Sequence, residues 1–424
     1  MEGLSEYVLL LATYHALFFW RVYTNIFRQS TSEVISTFFP HWIWAGRQWA
    51  KGKLPMKDQI YYQYPGCIPF LSTFYPLGIV SSFLSTFLRL DTAFLLWQYV
   101  INLHYLLGSI LSFLVFSQWA SVPLALFGAL TLTYASFMIK IQPCVVYTIA
   151  WLPGTLLDGP LQGISVAGAL LGGYWPYCVY FLPVSLMATF LWERPLIWFL
   201  LGVLFSLPQI IPFLWYLPQS VRAKKTGNPG KFGIVPISRF LNLIKPDNYT
   251  TYVGGLLSQE STMFIGWIPL LFIPFSQSQA WWLLPLSALG MLGVVPSIGR
   301  ISARWSYLFV FSLVWLAVSG MSGIELPWTT SWALLLLQAF TLLINRRQLS
   351  YWPFTEWWKK PSEFWGARPN QEGTVPYNPA FPYFTGYITA SPTPGYTGGF
   401  ALQRLHDKYG IKDPNGERVK SFHG

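Results

Sequence analysis

Charge is what this chain has least of. Only 10% of its 424 residues are Asp, Glu, Lys or Arg, against 53% hydrophobic and 19% aromatic, whereas soluble domains average about 25% charged. One large soluble globule is excluded, because too few polar side chains exist to cover it. Disorder is excluded by the opposite excess, since a solvated coil does not tolerate so much apolar surface. Cysteine is scarce too. Cys67, Cys144 and Cys178 lie far apart in apolar sequence, which suggests neither a disulfide framework nor a zinc site. The histidines (His15, His41, His104, His406 and His423) show no ligand spacing, so no metal site built from histidine is expected. Missing as well are a Walker loop, a GxGxxG turn, an HExxH helix and a GxSxG elbow, the usual signatures of soluble enzymes.

What is present is a series of apolar runs, several near the 20 or so residues that cross a bilayer. They fall at 7–26, 74–88, 93–116, 122–139, 145–157, 164–191, 196–217, 263–275, 280–295, 306–320 and 330–344. The expected fold is an all-α polytopic membrane protein of about 10–12 transmembrane helices, some of them short. Gly172, Gly173 and Pro176 interrupt the run 164–191, which is expected to split into two helices at a kink. No basic region precedes the first run and no small-residue cleavage site follows it, so it reads as a retained span. Two long polar loops, 27–65 and 218–262, interrupt this membrane domain, which ends near residue 345. The remainder, 346–424, is an aromatic, Pro/Gly-rich tail without a span, with a short helix expected near 400–409. Its Trp352, Trp357, Trp358 and Trp365, beside Lys359 and Lys360, resemble an interfacial belt.

The polar remainder is basic, with 27 Lys and Arg against 16 Asp and Glu. In a membrane protein that balance points to lipid head groups or phosphate, not nucleic acid. Arg346, Arg347, Lys359 and Lys360 place the tail in the cytoplasm by the positive-inside rule. The loop 27–65 is basic as well (Arg28, Arg47, Lys51, Lys53, Lys57), and so is the stretch with Arg222, Lys224 and Lys225. The rule cannot satisfy every loop, and some of these cations are expected to serve another purpose.

The loop 27–65 also holds the most informative residues. Its carboxylates are Glu33 and Asp58, among Trp42, Trp44, Trp49, Tyr61 and Tyr62. Sugar transfer from a lipid phosphate needs a base for the acceptor hydroxyl and cations for the departing phosphate. It also needs aromatic faces for the sugar. Glu33 could be the base, with Asp58 in reserve. Arg47, Lys51, Lys57, Arg300 and Arg304 could hold phosphate or lipid. Trp42, Trp44, Tyr61 and Tyr62 could be sugar platforms. Each has a plainer reading: Glu33 as a helix-start carboxylate after Ser32, Asp58 as the partner of Lys57 or of loop backbone, the cations as solvated face or topological anchors, and the aromatics as interfacial anchors. His15 and His104 fall within spans and are read as hydrogen-bonded packing residues.

Several ordered fragments resemble the YfhO-like bacterial membrane proteins. They are Glu33 and Pro40, Gly52–Pro55 (GKLP), Gly66–Pro69 (GCIP), Asn102–Tyr105 (NLHY) before Gly108, and Tyr134–Phe137 (YASF). Ala150–Pro153 (AWLP), Leu207–Pro212 (LPQIIP) before Ser220 and Arg222, and Phe264–Pro269 (FIGWIP) follow in the same order. The family resembles the GT-C glycosyltransferases, which use polyprenyl-phosphate sugars. The resemblance implies a GT-C-like bundle in the bacterial cytoplasmic membrane, with its first polypeptide end inside and loop 27–65 as a catalytic outer loop. It also implies an envelope glycan, lipid or polymer as acceptor. Two departures stand out: the family pattern usually has aspartate where Glu33 stands, and its members are commonly longer. A divalent metal ion would help a monophosphate donor depart but is not required, and no protein metal ligands are assigned. The alternative is a non-catalytic subunit that keeps the fold and binds membrane lipids or a membrane protein complex.

Overall fold

Apolar runs become helices, several of which begin or end beside proline or glycine. The computed structural model describes residues 3–23, 27–28, 39–55, 57–58, 64–65, 72–88, 90–135, 143–216, 234–245, 263–295, 302–345 and 351–352. The helices are α1 (Leu4–Phe18), α2 (Trp20–Tyr23), α3 (Phe39–Ala50), α4 (Pro76–Ser85), α5 (Leu90–Phe116), α6 (Val122–Tyr134), α7 (Pro143–Ile149) and α8 (Pro160–Leu171). They continue as α9 (Trp175–Leu191), α10 (Leu196–Phe205), α11 (Leu207–Tyr216), α12 (Ile268–Phe272), α13 (Leu283–Met291), α14 (Ser306–Gly323) and α15 (Trp328–Asn345). Besides short 3₁₀ turns, the described residues include two antiparallel pairs of two-residue strands, β1 (Phe27–Arg28) with β4 (Tyr351–Trp352) and β2 (Lys57–Asp58) with β3 (Tyr64–Pro65). The architecture is all-helical.

Two helices are long and apolar enough to cross a membrane, Thr92–Phe116 within α5 and Ser306–Gly323, which is α14. The pair α10–α11 makes a third if its 60° bend is counted within one span. Proline explains that bend. Pro208 lacks an N–H and would press on the carbonyl four residues back, so the helix cannot pass through Ser206 unbroken. The other apolar helices described range from five residues in α12 to 18 in α15. At 1.5 Å per residue, a 12-residue helix reaches about 18 Å, short of the roughly 30 Å hydrocarbon core. Length and composition therefore account for two or three of the 10–12 spans expected. The expected break within 164–191 is present between α8 and α9. Gly172 sits there so close to α7 that a Cβ would lie 2.6 Å from the Tyr147 carbonyl oxygen, and Gly173 has φ +88°. Only glycine suits both demands.

Helix α5 is the axis of one half, packed on α4, α6, α7 and the 3₁₀ turn Pro153–Leu156; α14 is the axis of the other, packed on α6, α12 and α13. Their contacts define two ends. At the C-terminal end of α5, Trp119 and Phe116 meet Trp315, Trp315 stacks on Trp192, and Tyr7 meets Phe113. The starts of α1, α6, α8, α10 and α15 gather here, joined by short turns. In the N-terminal half of α5, Trp97 meets Trp42 and Tyr99 stacks on Tyr23, Tyr75 meets His104 at the helix middle, and Tyr174 lies beside Arg304 near the start of α14. The two long polar loops leave the helices at this second end. Phe27 pairs with Trp352 and Arg28 with Tyr351, so the start of the first loop and the start of the tail lie at the same end. An outer first loop and a cytoplasmic tail, both expected from the sequence, cannot therefore hold together.

Candidate functional site at the basic end

The second end carries described cations, among them Arg47, Lys51 and Arg304 of those singled out in the sequence. Helix α3 carries Arg47, and the turn after it carries Lys51 and Lys53; all three are exposed. Gly52 provides the left-handed residue of that turn (φ +65°), which lets Lys53 N–H return to the Gln48 carbonyl at 2.9 Å. Helix α3 lies tightly on α4, because a Cβ on Gly46 would stand 1.9 Å from the Ser82 carbonyl oxygen. Arg239 and Lys245 belong to a segment at this same end: Ile265 N–H bonds the Leu243 carbonyl, and Phe240 meets Phe309 near the start of α14.

Arg304 behaves differently from the other cations. It is 4% exposed, its guanidinium donates to the Tyr174 hydroxyl at 3.0 Å, and it lies 5.4 Å from that ring's centre. Burial removes the reading in which Arg304 anchors a helix start in head groups. A buried guanidinium is costly unless its donors are used, so this residue forms part of the packed interior below the loops.

Beside it runs a fixed hydrogen-bond chain. His104 Nδ1 is 2.6 Å from the Val100 carbonyl, an acceptor only, so Nδ1 carries the proton. Nε2 must then accept, and the Tyr75 hydroxyl donates to it at 2.6 Å. Tyr75 in turn accepts from Trp151 Nε1–H at 2.9 Å. His104 is thus neutral and fully occupied. A parallel chain holds His15, whose ring nitrogens lie 3.1 Å from the Tyr134 hydroxyl and 2.7 Å from the Tyr23 hydroxyl. Both histidines are the hydrogen-bonded packing residues expected. Tyr75, Trp151, Tyr174 and Gln209, which accepts from Phe74 N–H at 3.4 Å, were not singled out by sequence. Their partners stand 29 to 135 positions away, and no local pattern announces them.

The remaining candidates divide as follows. Trp42 is buried, with its ring 6.5 Å from Trp97, so it packs inward and offers no open sugar platform. Lys57 and Asp58 form β2, with Asp58 opposite Tyr64, while their side chains lie outside the described residues. So does the side chain of Trp44. Glu33, Tyr61, Tyr62 and Arg300 lie outside the described residues altogether, as does the tail helix expected near 400–409. Among the described residues no group of three His, Cys, Asp or Glu could hold a metal ion.

Fold and site together define a class, an all-helical protein with two to three helices of membrane-crossing length and a basic, loop-bearing end. No family model, curated protein or solved structure matches the chain.

Proposed function

We propose that the chain is a multi-pass protein of the bacterial cytoplasmic membrane that transfers a sugar from a polyprenyl-phosphate donor to an envelope glycan, lipid or polymer. The observation that supports this reading is that exposed Arg47, Lys51, Lys53 and Lys245, with half-buried Arg239, belong to segments at the loop-bearing end, where Arg304 is buried. A phosphate leaving group calls for such a field of fixed cations. In the step, the acceptor oxygen forms a bond to the anomeric carbon while the carbon–oxygen bond to phosphate breaks. The electron pair departs on the phosphate, and the acceptor proton passes to the Glu33 carboxylate, with Asp58 as the reserve base.

The test is Glu33→Gln, which keeps the side chain's shape and removes its basicity. Loss of a general base typically lowers a rate 10²–10⁴-fold. The expected result is inserted, folded protein that no longer modifies its glycan, with Asp58→Asn far milder. Intact transfer by Glu33→Gln alongside a dead Asp58→Asn would reassign the base. A second reading, a non-catalytic subunit, is favoured by the β1–β4 pair, which seats the tail on the start of the first loop. Normal function in both carboxylate variants would support it.

A further inference from the structure

The sequence alone could not reconcile its basic loops with one orientation, but the fold does. Of the ten Lys and Arg before Arg346 among the described residues, Arg194 belongs to the tryptophan-lined end; the other nine (Arg21, Arg28, Arg47, Lys51, Lys53, Lys57, Arg239, Lys245 and Arg304) belong to segments next to the connections made at the basic end. The described acids lie at both ends: Glu6, Asp158, Glu193 and Glu325 at the tryptophan-lined end, Asp58 and Asp91 at the other. Arg194 is held by structural contacts. Arg194 stacks 4.3 Å from the Trp192 ring centre, bonds Gln118 Oε1 at 2.6 Å, and donates to the Leu156 carbonyl. It ties three turns together, and Asp158 lies within its electrostatic reach. Lys and Arg accumulate in cytoplasmic connections, and acids contribute little to that bias. Each connection at the basic end is shorter than the roughly 60 residues over which the rule applies.

We infer that the basic end faces the cytoplasm, seated on the anionic lipid head groups of the inner leaflet, and that the start of α1 lies on the opposite side. Exposed Arg47, Lys51 and Lys53 stand next to α4, whose Val80 and Phe83 are exposed apolar side chains of the kind that enters acyl chains. Phosphate above and hydrocarbon beside is the chemistry of an anionic bilayer surface. The orientation opposes the outer catalytic loop that the family resemblance implies. It rests on membrane insertion and not on sugar transfer; where both hold, donor and acceptor meet on the cytoplasmic side.

Orientation is read with a membrane-impermeant maleimide on intact bacterial cells, over the background of the unsubstituted chain. Ser117→Cys, at the tryptophan-lined end, is expected to label in intact cells. Lys53→Cys is expected to label at least tenfold more once the membrane is opened. The reverse pattern, or equal labelling of both, overturns the inference. Trypsin provides a check that needs no variant: the unsubstituted protein should be cut at Lys51 and Lys53 in inside-out vesicles and be spared there in right-side-out ones. The lipid partner is read from the melting temperature of purified protein in nanodiscs. Phosphatidylglycerol should raise it above phosphatidylcholine, and an Arg47→Gln, Lys51→Gln, Lys53→Gln triple variant should lose that gain. A gain kept by the triple variant, or reproduced by inorganic phosphate alone, overturns the lipid assignment. Neither readout depends on transferase activity, so failure here is distinct from failure of the proposed reaction.

Discussion

The two ends of the bundle solve opposite problems with different residues. At the tryptophan-lined end, turns are short, and Trp119, Trp192, Trp281, Trp282 and Trp328 keep more than a third of their surface exposed. Indole suits that position, with an apolar body for lipid and an N–H for the head-group layer. Among the described residues the one cation there is spent on structure: Arg194 cross-links the turns at Gln118, Leu156 and Trp192. Burial pulls its pKa below the ordinary guanidinium value, and Asp158 opposes that shift in part. At the basic end, connections are long, the outward cations Arg47, Lys51 and Lys53 are exposed, and rigidity comes from neutral chains through His104 and His15. One end is closed with charge and aromatics. The other is held from below and carries exposed cations.

The sharpest way to break this comparison is a glycine at each end. A Cβ on Gly320 would stand 1.9 Å from the Phe272 carbonyl oxygen, and one on Gly46 equally near the Ser82 carbonyl. Backbone cannot swing aside as a flexible side chain can. Gly320→Val is expected to cost about 3 kcal/mol or more, the upper range for overpacking, because α14 is the axis of its half. Gly46→Val should strain only the α3–α4 pair and leave the main unfolding transition in place. Tryptophan fluorescence during thermal unfolding in detergent checks both; equal loss at the two sites would show that α3 and α4 belong to the same cooperative unit as α14.

Next comes Arg194→Ala. It removes two charge-assisted hydrogen bonds and the stacked guanidinium, and leaves the Leu156 carbonyl short of a donor. Bonds of this kind are worth about 1.5–3 kcal/mol, discounted for the side chain's partial exposure. A loss near 2 kcal/mol is expected, with Arg194→Lys recovering only part, since lysine lacks the planar fork that reaches two acceptors. An unchanged melting temperature would mean that the turns hold without the clasp.

Some of this was legible in the sequence and some was not, for physical reasons. Local backbone rules carry far. Gly172, Gly173 and Pro176 announced the break between α8 and α9, and the apolar runs at 93–116 and 306–320 match α5 and α14 to within three residues at each end. What escaped was anything decided by distant partners. Arg304 reads as a helix-start cation until Tyr174, 130 positions away, is brought beneath it. The charge segregation escaped for the same reason: a basic loop has no side until the helices before and after it have ends. With β1 paired to β4, the apparent conflict among loops becomes one consistent bias. Glu33, the residue on which the catalytic reading depends, lies outside the described residues, so sequence remains its whole support.

A smaller effect distinguishes the interior of the basic end from its surface. His104→Phe removes the acceptor for the Tyr75 hydroxyl and the donor to the Val100 carbonyl, both in a fully buried site. Leaving a buried donor unsatisfied costs about 1–3 kcal/mol, softened here because the Val100 carbonyl can keep its helical partner. A loss of 1–2 kcal/mol in urea or thermal unfolding is expected. Tyr75→Phe should cost a similar amount, since it strands both His104 Nε2 and Trp151 Nε1–H, and the double variant should cost less than the two losses added together. Additivity would show that the pair is not one network.

The smallest expected change in stability is the one most informative about the basic end. Lys51 is exposed at the end of α3, and its backbone N–H, not its side chain, makes the turn's bond to Gln48 at 3.0 Å. Lys51→Gln keeps the side chain polar and nearly as long while removing its charge. Surface substitutions of this kind move stability by no more than about 0.5 kcal/mol, so the unfolding curve should superimpose on that of the unsubstituted protein. Binding to anionic lipid should still weaken, because each Lys or Arg near such a surface contributes about 1 kcal/mol, roughly a fivefold change in affinity. That contribution is screened over about 8 Å at physiological ionic strength, so the difference should shrink as salt is raised. Arg194→Gln, at the other end, should show the converse: lower stability and unchanged dependence on lipid charge. If Lys51→Gln destabilises the fold while lipid preference stays as it was, the charges at the two ends do the same work, and the division between a clasped end and a binding end is lost.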